Sequence, residues 1–185
     1  MKIEIKEPRV VHSIYDGVVE GKDVVTATKV FSQNADIYRN GADVDPDMLM
    51  YTVYSYGEGN PDVPGNLYWG LTVLEPVQVH GECNMTRGHF HCDRNCAEVY
   101  FGAGGEGLLI LMDEKGNAWA EKIFPGSLHL IDGKLAHRVV NTGDVPLKVG
   151  ACWPTTAGHD YEATQKQKFP FRIFKRDEEI IFEKD

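Results

Sequence analysis

"TRGHFHCDRNCAEVY", residues 86–100, places two histidines two positions apart and a glutamate seven positions after the second. The chain has only seven histidines in 185 residues, so the pairing of His89 with His91 uses a scarce residue twice. On extended backbone successive side chains point to opposite faces, which puts His89 and His91 on one face and Phe90 on the other. That division suits a core on one side and a cavity on the other. Glu98 lies in the next apolar run, "AEVYF", and a hairpin through residues 93–95 brings it back beside the imidazoles. Two neutral imidazoles and a carboxylate are good ligands for a divalent transition metal. "LAHRVVN" supplies a fourth candidate, His137, at the start of another apolar run. Three histidines and one glutamate leave open positions on an octahedral ion, which marks a catalytic or sensing site rather than a closed structural one. Cys92 and Cys96 offer a rival His/Cys zinc site. Cys92 directly follows His91 and so faces away, and Cys96 shares the face of Glu98 only if the strand already runs there. Free thiols are the plainer reading.

Around this stretch, short apolar runs alternate with turn signals, as in "NLYWGLTVLEP" and "HRVVNTGDVPLKVGACWP". From about Asn66 to Pro154 the pattern is all-β, at the spacing of a sandwich or barrel. Residues 113–116 and 141–144 read as hairpin turns, and 124–126 as a break. "GAGGEG" (102–107) precedes "LLILM" and no helical pattern, so it reads as a barrel bend or tight turn rather than a phosphate loop. In the N-terminal third, 32–38 and 45–56 are candidates for short helices, with 45–56 alternatively becoming a strand after Met50. Residues 57–66 form a loop. The C-terminal "FPFRIFKRDEEIIFEKD" alternates enough for an edge strand or hairpin. No linker divides the chain, which is expected to be a single domain of residues 1–185. Its barrel core spans about 66–155, with an N-terminal extension (1–50) and a C-terminal edge segment (170–185).

Apolar residues make up 42% and charged residues 25%, enough for a real core. A net charge of −9 argues against general nucleic-acid binding, which needs a basic surface. It does not exclude a small anion held in a local pocket. No stretch approaches the ~20 apolar residues of a membrane span, residues 1–5 carry no apolar leader run, and no CxxC joins the four cysteines. A soluble cytoplasmic protein with reduced thiols is the expectation.

These residues also resemble a known family. The His-x-His pair, Glu98, and Gly105 after six intervening residues resemble the first motif of the cupins. "PGSLHLIDGKLAHRVVN" resembles the second, with His137 and Asn141 in H-x-x-x-N spacing. The long gap from His91 to Glu98 resembles the archaeal-type, cupin phosphoglucose isomerases. Their signature appears here as Pro76, Gly81, "TRGHFH" and "AEVY", and the likeness continues through "LTVLEP" and "PTTAGHDY". It covers Leu67 to Phe169, with the ends only loosely matched.

The resemblance implies a cupin jelly-roll β-barrel with short N-terminal helices and flanking strands, and a homodimer. It implies interconversion of glucose 6-phosphate with fructose 6-phosphate, using one divalent metal per chain. Iron(II) is favoured, with nickel, manganese or zinc as substitutes. His89, His91, Glu98 and His137 match the metal ligands. Thr72, Thr86 and Gly88 match positions that hold the substrate phosphate. Tyr100, His159 and Tyr161 match positions lining the sugar site. Glu98 is also the candidate base, Tyr100 shares its face, and His159 is a candidate for ring opening. One departure is Trp153, which stands where the family has a tyrosine near the phosphate. An indole N–H donates a hydrogen bond but accepts none. Arg87 and Arg138 flank the ligand positions and read as solvent or interface residues. Two other functions fit the ligand set: a cupin non-haem metal oxygenase, and a non-catalytic phosphosugar-binding cupin. The first gives the threonines and "AGHDY" no role.

Overall fold

The computed structural model describes residues 3–13 and 15–185; Met1 and Lys2, part of the stretch expected above to carry no apolar leader run, lie outside them. In chain order the strands are β1 (Val10–His12), β2 (Val19–Gly21), β3 (Val25–Val30), β4 (Leu49–Gly57), β5 (Leu67–Leu74), β6 (Gln78–Val79) and β7 (Glu82–Cys83). There follow β8 (Glu98–Gly104), β9 (Gly107–Met112), β10 (Ala118–Ile123), β11 (Leu128–Ile131), β12 (Ala136–Asn141) and β13 (Leu147–Pro154). A short helix, α1 (Tyr161–Lys166), precedes the closing hairpin of β14 (Phe171–Arg176) and β15 (Glu179–Lys184).

Every strand pairing among the described residues is antiparallel. The larger sheet runs β11-β8-β13-β5-β4-β3 and a second runs β10-β9-β12. The chain crosses between them at β8→β9, β10→β11 and β12→β13, which is the connectivity of a jelly roll. One apolar cluster joins Met50, Leu74 and Val149 of the larger sheet to Leu109, Leu111 and Val139 of the smaller. It continues into Cys83, Phe169 and Ile173, beside the third sheet, β15-β14-β7-β6. The fold is therefore the all-β, cupin-type jelly roll that the resemblance implied.

Local chemistry explains the connections. The β8–β9 corner is "GAGGEG", where Gly105 has φ +71° and an added Cβ would lie 2.6 Å from the Pro146 carbonyl oxygen. Only glycine fits so tight a bend, so the turn reading of this run holds. Between β10 and β11, His129 stands 2.7 Å from Glu121 and 3.1 Å from the Ser127 hydroxyl, which in turn accepts from the Phe124 N–H. Ser127 and His129 are buried, so this relay clamps two strands.

Of three expectations, one resolves to its alternative, one holds in finer form and one is corrected. Residues 45–56 form no helix and take the strand alternative: β4 begins at Leu49, slightly before the expected start, and its β-branched and aromatic "YTVYSY" adds a strand upstream of the expected core. The 32–38 stretch makes two 3-10 turns, Phe31–Gln33 and Ala35–Ile37. The His89–His91 segment is not a continuous strand; it touches its neighbours through isolated bridges, His89 to His137 and Phe90 to Asp160. Gly88, with φ +78°, breaks the extended run before it. Helix α1 was not anticipated, although its N-cap, Asp160, accepts a hydrogen bond from the Ala163 N–H in the usual way.

Candidate metal centre

Antiparallel partners share a face, so the register assigns the inner wall of the larger sheet. Tyr100 pairs with Ala151, Ala151 with Gly70, Val149 with Thr72, and Trp153 with Tyr68. Glu98, Tyr100, Thr72, Tyr68 and Trp153 therefore all look inward. From the opposite sheet His137 looks inward too, pairing with Leu111, and the bridge between His89 and His137 fixes the other two histidines beside it. Despite its irregular backbone, the His89–His91 segment keeps its division of faces: Phe90 turns away into the core, 2% exposed, under the Arg94 guanidinium.

One nitrogen from each of His89, His91 and His137 lies within 4.8 Å of the others. Glu98 Oε2 lies 3.2 Å from His91 Nε2 and 3.1 Å from His137 Nε2. The other ring nitrogens are tied outward. His91 Nδ1 donates to the Cys96 carbonyl at 2.7 Å, and His137 Nδ1 to the Leu135 carbonyl at 3.2 Å. Those bonds fix the tautomers and leave the Nε2 lone pairs aimed at a common point, as outer-shell carbonyls do in metal sites. His137 Nε2 is buried and, for all its nearness to Glu98, makes no well-directed hydrogen bond. An orphaned, buried, lone-pair nitrogen is costly unless a cation takes it. The donor set, its neutral imidazoles and its anionic oxygen thus fit a divalent transition ion.

The electrostatics agree. Burial, reinforced by the neighbouring imidazoles, pushes His89 far below the usual histidine range, so it is neutral. Burial pushes Glu98 up, but the close approach of the His137 and His91 rings outweighs this and holds it below the ordinary range, as a carboxylate. Burial pushes His91 down, while Glu98 and the Cys96 carbonyl more than offset it and leave it raised. Tyr100 is so enclosed that burial lifts its phenol well above the usual value, yet part of its surface stays accessible. Its ring stands edge-on to the His137 ring, 5.6 Å between centroids.

The remaining expected residues fall in two groups. His159 and Tyr161 sit at the rim, both exposed and stacked at 8°, with His159 4.3 Å from the His89 ring. Crowding by protein lowers the His159 pKa. Thr72, half-buried on β5, has a hydroxyl without an intramolecular partner among the described residues. Thr86 also serves the fold: its hydroxyl accepts from the Val139 N–H at 3.0 Å, leaving its own proton to donate. Gly88 is needed for its backbone, since a Cβ there would meet Phe169 at 2.8 Å and Arg138 at 3.0 Å. Trp153 tilts against Tyr68 at 5.5 Å on the inner wall, beside Thr72's strand. All four thiols are free, and none joins the metal-type cluster.

Sequence reasoning missed the carbonyls that orient the imidazoles, which no side-chain motif encodes. It also missed the clasp that positions His159. Arg94 donates to Asp160 at 3.0 Å while Asp160 caps α1 and exchanges backbone bonds with Phe90. The D-x-x-A spacing before a helical turn was the available signal.

Comparison with known proteins bears on this constellation. The glucose-6-phosphate isomerase (GPI) family profile matches residues 28–179. The glucose-6-phosphate isomerase of Thermococcus onnurineus is 34% identical over 134 residues, 72% of this chain and 70% of that protein. That of Pyrococcus horikoshii is 35% identical over the same length and shares, and that of Sinorhizobium medicae 32% identical over 115 residues, 62% and 54% of the two chains. Among solved structures the overlap is slight: Bacillus subtilis oxalate decarboxylase aligns with TM-score 0.47 at 22% identity, over 60% of this chain and 27% of that one. The profile spans most of the chain and includes every side chain at the centre, so the chain belongs to the glucose-6-phosphate isomerase family.

Proposed function

We propose that this chain interconverts glucose 6-phosphate and fructose 6-phosphate at a divalent ion held by His89, His91, Glu98 and His137. The observation that carries the reading is the convergence of three imidazoles on one carboxylate inside the jelly roll of a GPI-family chain. Iron(II) is our choice of ion, because imidazole and carboxylate suit it and leave open positions; nickel, manganese and zinc accept the same donors. The chain acts in the cytoplasm as a homodimer of single-domain subunits, without nucleic-acid or membrane partners. No helix among the described residues is long and apolar enough to cross a membrane.

A bound ion supplies a Lewis acid that polarises the sugar's reacting oxygens. The side chains do the rest. Neutral His159, at the rim over His89, accepts the C1 hydroxyl proton as the C1–ring oxygen bond breaks and delivers it to the ring oxygen, leaving the open-chain aldehyde. Glu98 contacts both histidines through Oε2, which leaves Oε1 to take the proton from C2 and return it to C1. A second proton passes from the C2 oxygen to the C1 oxygen, completing the aldose–ketose exchange. Tyr100, held protonated, donates along the same wall. Thr72 and Thr86 donate hydroxyl protons to the phosphate, with the Trp153 N–H in the place of a phenol.

Purified, metal-loaded protein should convert fructose 6-phosphate to glucose 6-phosphate in a coupled assay. Turnover absent after reconstitution with iron(II), manganese, nickel and zinc in turn would sink the isomerase reading. Substrate-dependent oxygen uptake would shift it to an oxygenase, and phosphosugar binding without product to a non-catalytic cupin.

The phosphate assignment has its own test. Losing one hydroxyl contact to a charged group costs ~1.5–3 kcal/mol. Thr86→Val should raise the Michaelis constant by about that free energy, but it also strands the Val139 N–H and lowers the melting temperature. Thr72→Val, with no intramolecular bond to lose, should raise KM and leave the melting temperature alone. An unchanged KM in both variants removes the threonines from the phosphate site.

Metal retention should depend on pH in one direction. His91 must be neutral to ligate, and its folded pKa is raised, so protons compete with the ion as pH falls through and below that raised value. Glu98, with a depressed pKa, stays ionised until more acid conditions and joins the competition later. Apparent metal affinity, followed by competition with a chromogenic chelator, should fall at least about tenfold per pH unit below the His91 transition. A flat profile from pH 7.5 to 5 would contradict the ligand role of His91.

A further inference from the structure

Arg138 follows the ligand His137 on β12, and successive strand residues face opposite ways. Its guanidinium therefore leaves the barrel and enters a separate cavity of about 330 Å³ behind Gly88. That cavity shares with the metal centre only the rim residue Tyr161. Its lining carries four cations, Arg87, Arg138, Lys168 and Arg172, against two carboxylates, Asp36 and Asp185. This is a local excess of positive charge in a chain whose net charge is −9.

The cations are not equivalent. Arg87 is neutralised by both oxygens of Asp36, at 2.6 and 2.5 Å. Arg172 is held by Glu82 at 2.9 Å and Asp185 at 2.6 Å. Arg138 has no carboxylate partner among the described residues. Its Nη1 meets only the Met85 sulfur, at 3.1 Å, and its Nε is buried with no partner at all. The plane lies over the Phe169 ring at 4.2 Å, which fixes the fork without discharging it. Lys168, exposed at the edge of the same cavity, also makes no ion pair among the described residues. An arginine does not readily shed its proton to escape burial, so a largely enclosed guanidinium with idle donors, supported by Glu82 and Asp185 only beyond ion-pair range, gains from an anion that reaches it directly.

We propose that this cavity is a binding site for a small organic anion, one compact oxyanion head on a short carbon chain. The head lies between Arg138 and Lys168, and the chain lies against Phe169 and Ile37. The volume is at the lower end of the range for small-molecule sites and suits a compact ligand. A phosphate or a carboxylate head satisfies the guanidinium fork equally in geometry. The site stands on its own charges and does not depend on the isomerase reading.

The test is calorimetric titration of the metal-loaded protein with glycerol 3-phosphate and, separately, with succinate, which distinguishes the two heads. Lys168→Ala, a surface change, and Arg138→Met, which keeps bulk over Phe169, should each weaken binding of the preferred probe by about tenfold or more. Thr86→Val should leave this binding unchanged. Isomerase turnover should survive Lys168→Ala. The proposal is overturned if neither probe binds, or if binding survives Lys168→Ala and is lost in Thr86→Val, which would place the anion in the barrel. It is equally overturned if Lys168→Ala leaves binding intact and instead splits an oligomer, which would give Arg138 to a second copy of the chain.

Discussion

His91→Ala is expected to abolish metal binding and isomerase activity together. His91 is 1% exposed, contacts Glu98 through Nε2 and is locked by the Cys96 carbonyl through Nδ1, so no neighbouring side chain can take its place. Removing even an outer-shell partner of a metal ligand typically costs ~10–100-fold, and removing the ligand itself costs more. The loss should appear in elemental analysis and in the coupled assay at once. Added imidazole entering the vacated space should restore some of both. A variant that keeps its metal and its turnover would take His91 out of the site. The fold should survive, since the core cluster that joins the sheets does not include this residue.

Glu98→Gln separates binding from chemistry. Glutamine keeps the shape and one coordinating oxygen but cannot take a proton. Loss of a general base typically costs ~10²–10⁴ in rate. We expect kcat to fall by about that much, KM to change little, and metal to be retained more weakly. The wild-type reaction run in D₂O should place solvent deuterium on the reacting carbons, because a proton held on Glu98 exchanges with water. Transfer without any solvent label, combined with near-normal turnover in Glu98→Gln, would instead favour direct hydride passage from C2 to C1.

Much of this centre was legible before any coordinates. The His-x-His pair, Glu98 and His137 need only the alternation of faces and the strand to which each belongs, and the structure brings all four together. The β8–β9 corner was legible from its glycines. The alternation argument nevertheless worked on a segment that is not a strand: Gly88 breaks the ladder, and isolated bridges to His137 and Asp160 do the holding. Residues 45–56 stayed open between helix and strand because short apolar runs look alike as either, and only pairing with β5 decides. Arg138 misled most. Strand parity correctly turned it away from the metal, but parity cannot say whether "away" means solvent or a second cavity. That depends on Phe169, thirty-one residues further along, closing over it.

The most direct measurement is a titration of chelator-stripped protein with iron(II) under anaerobic conditions, following conversion of fructose 6-phosphate at each addition. Activity should start at background, rise in proportion to bound metal, and level off near one ion per chain. Full turnover by protein shown to hold no metal would contradict the account at its centre, however closely the three imidazoles and the carboxylate are gathered.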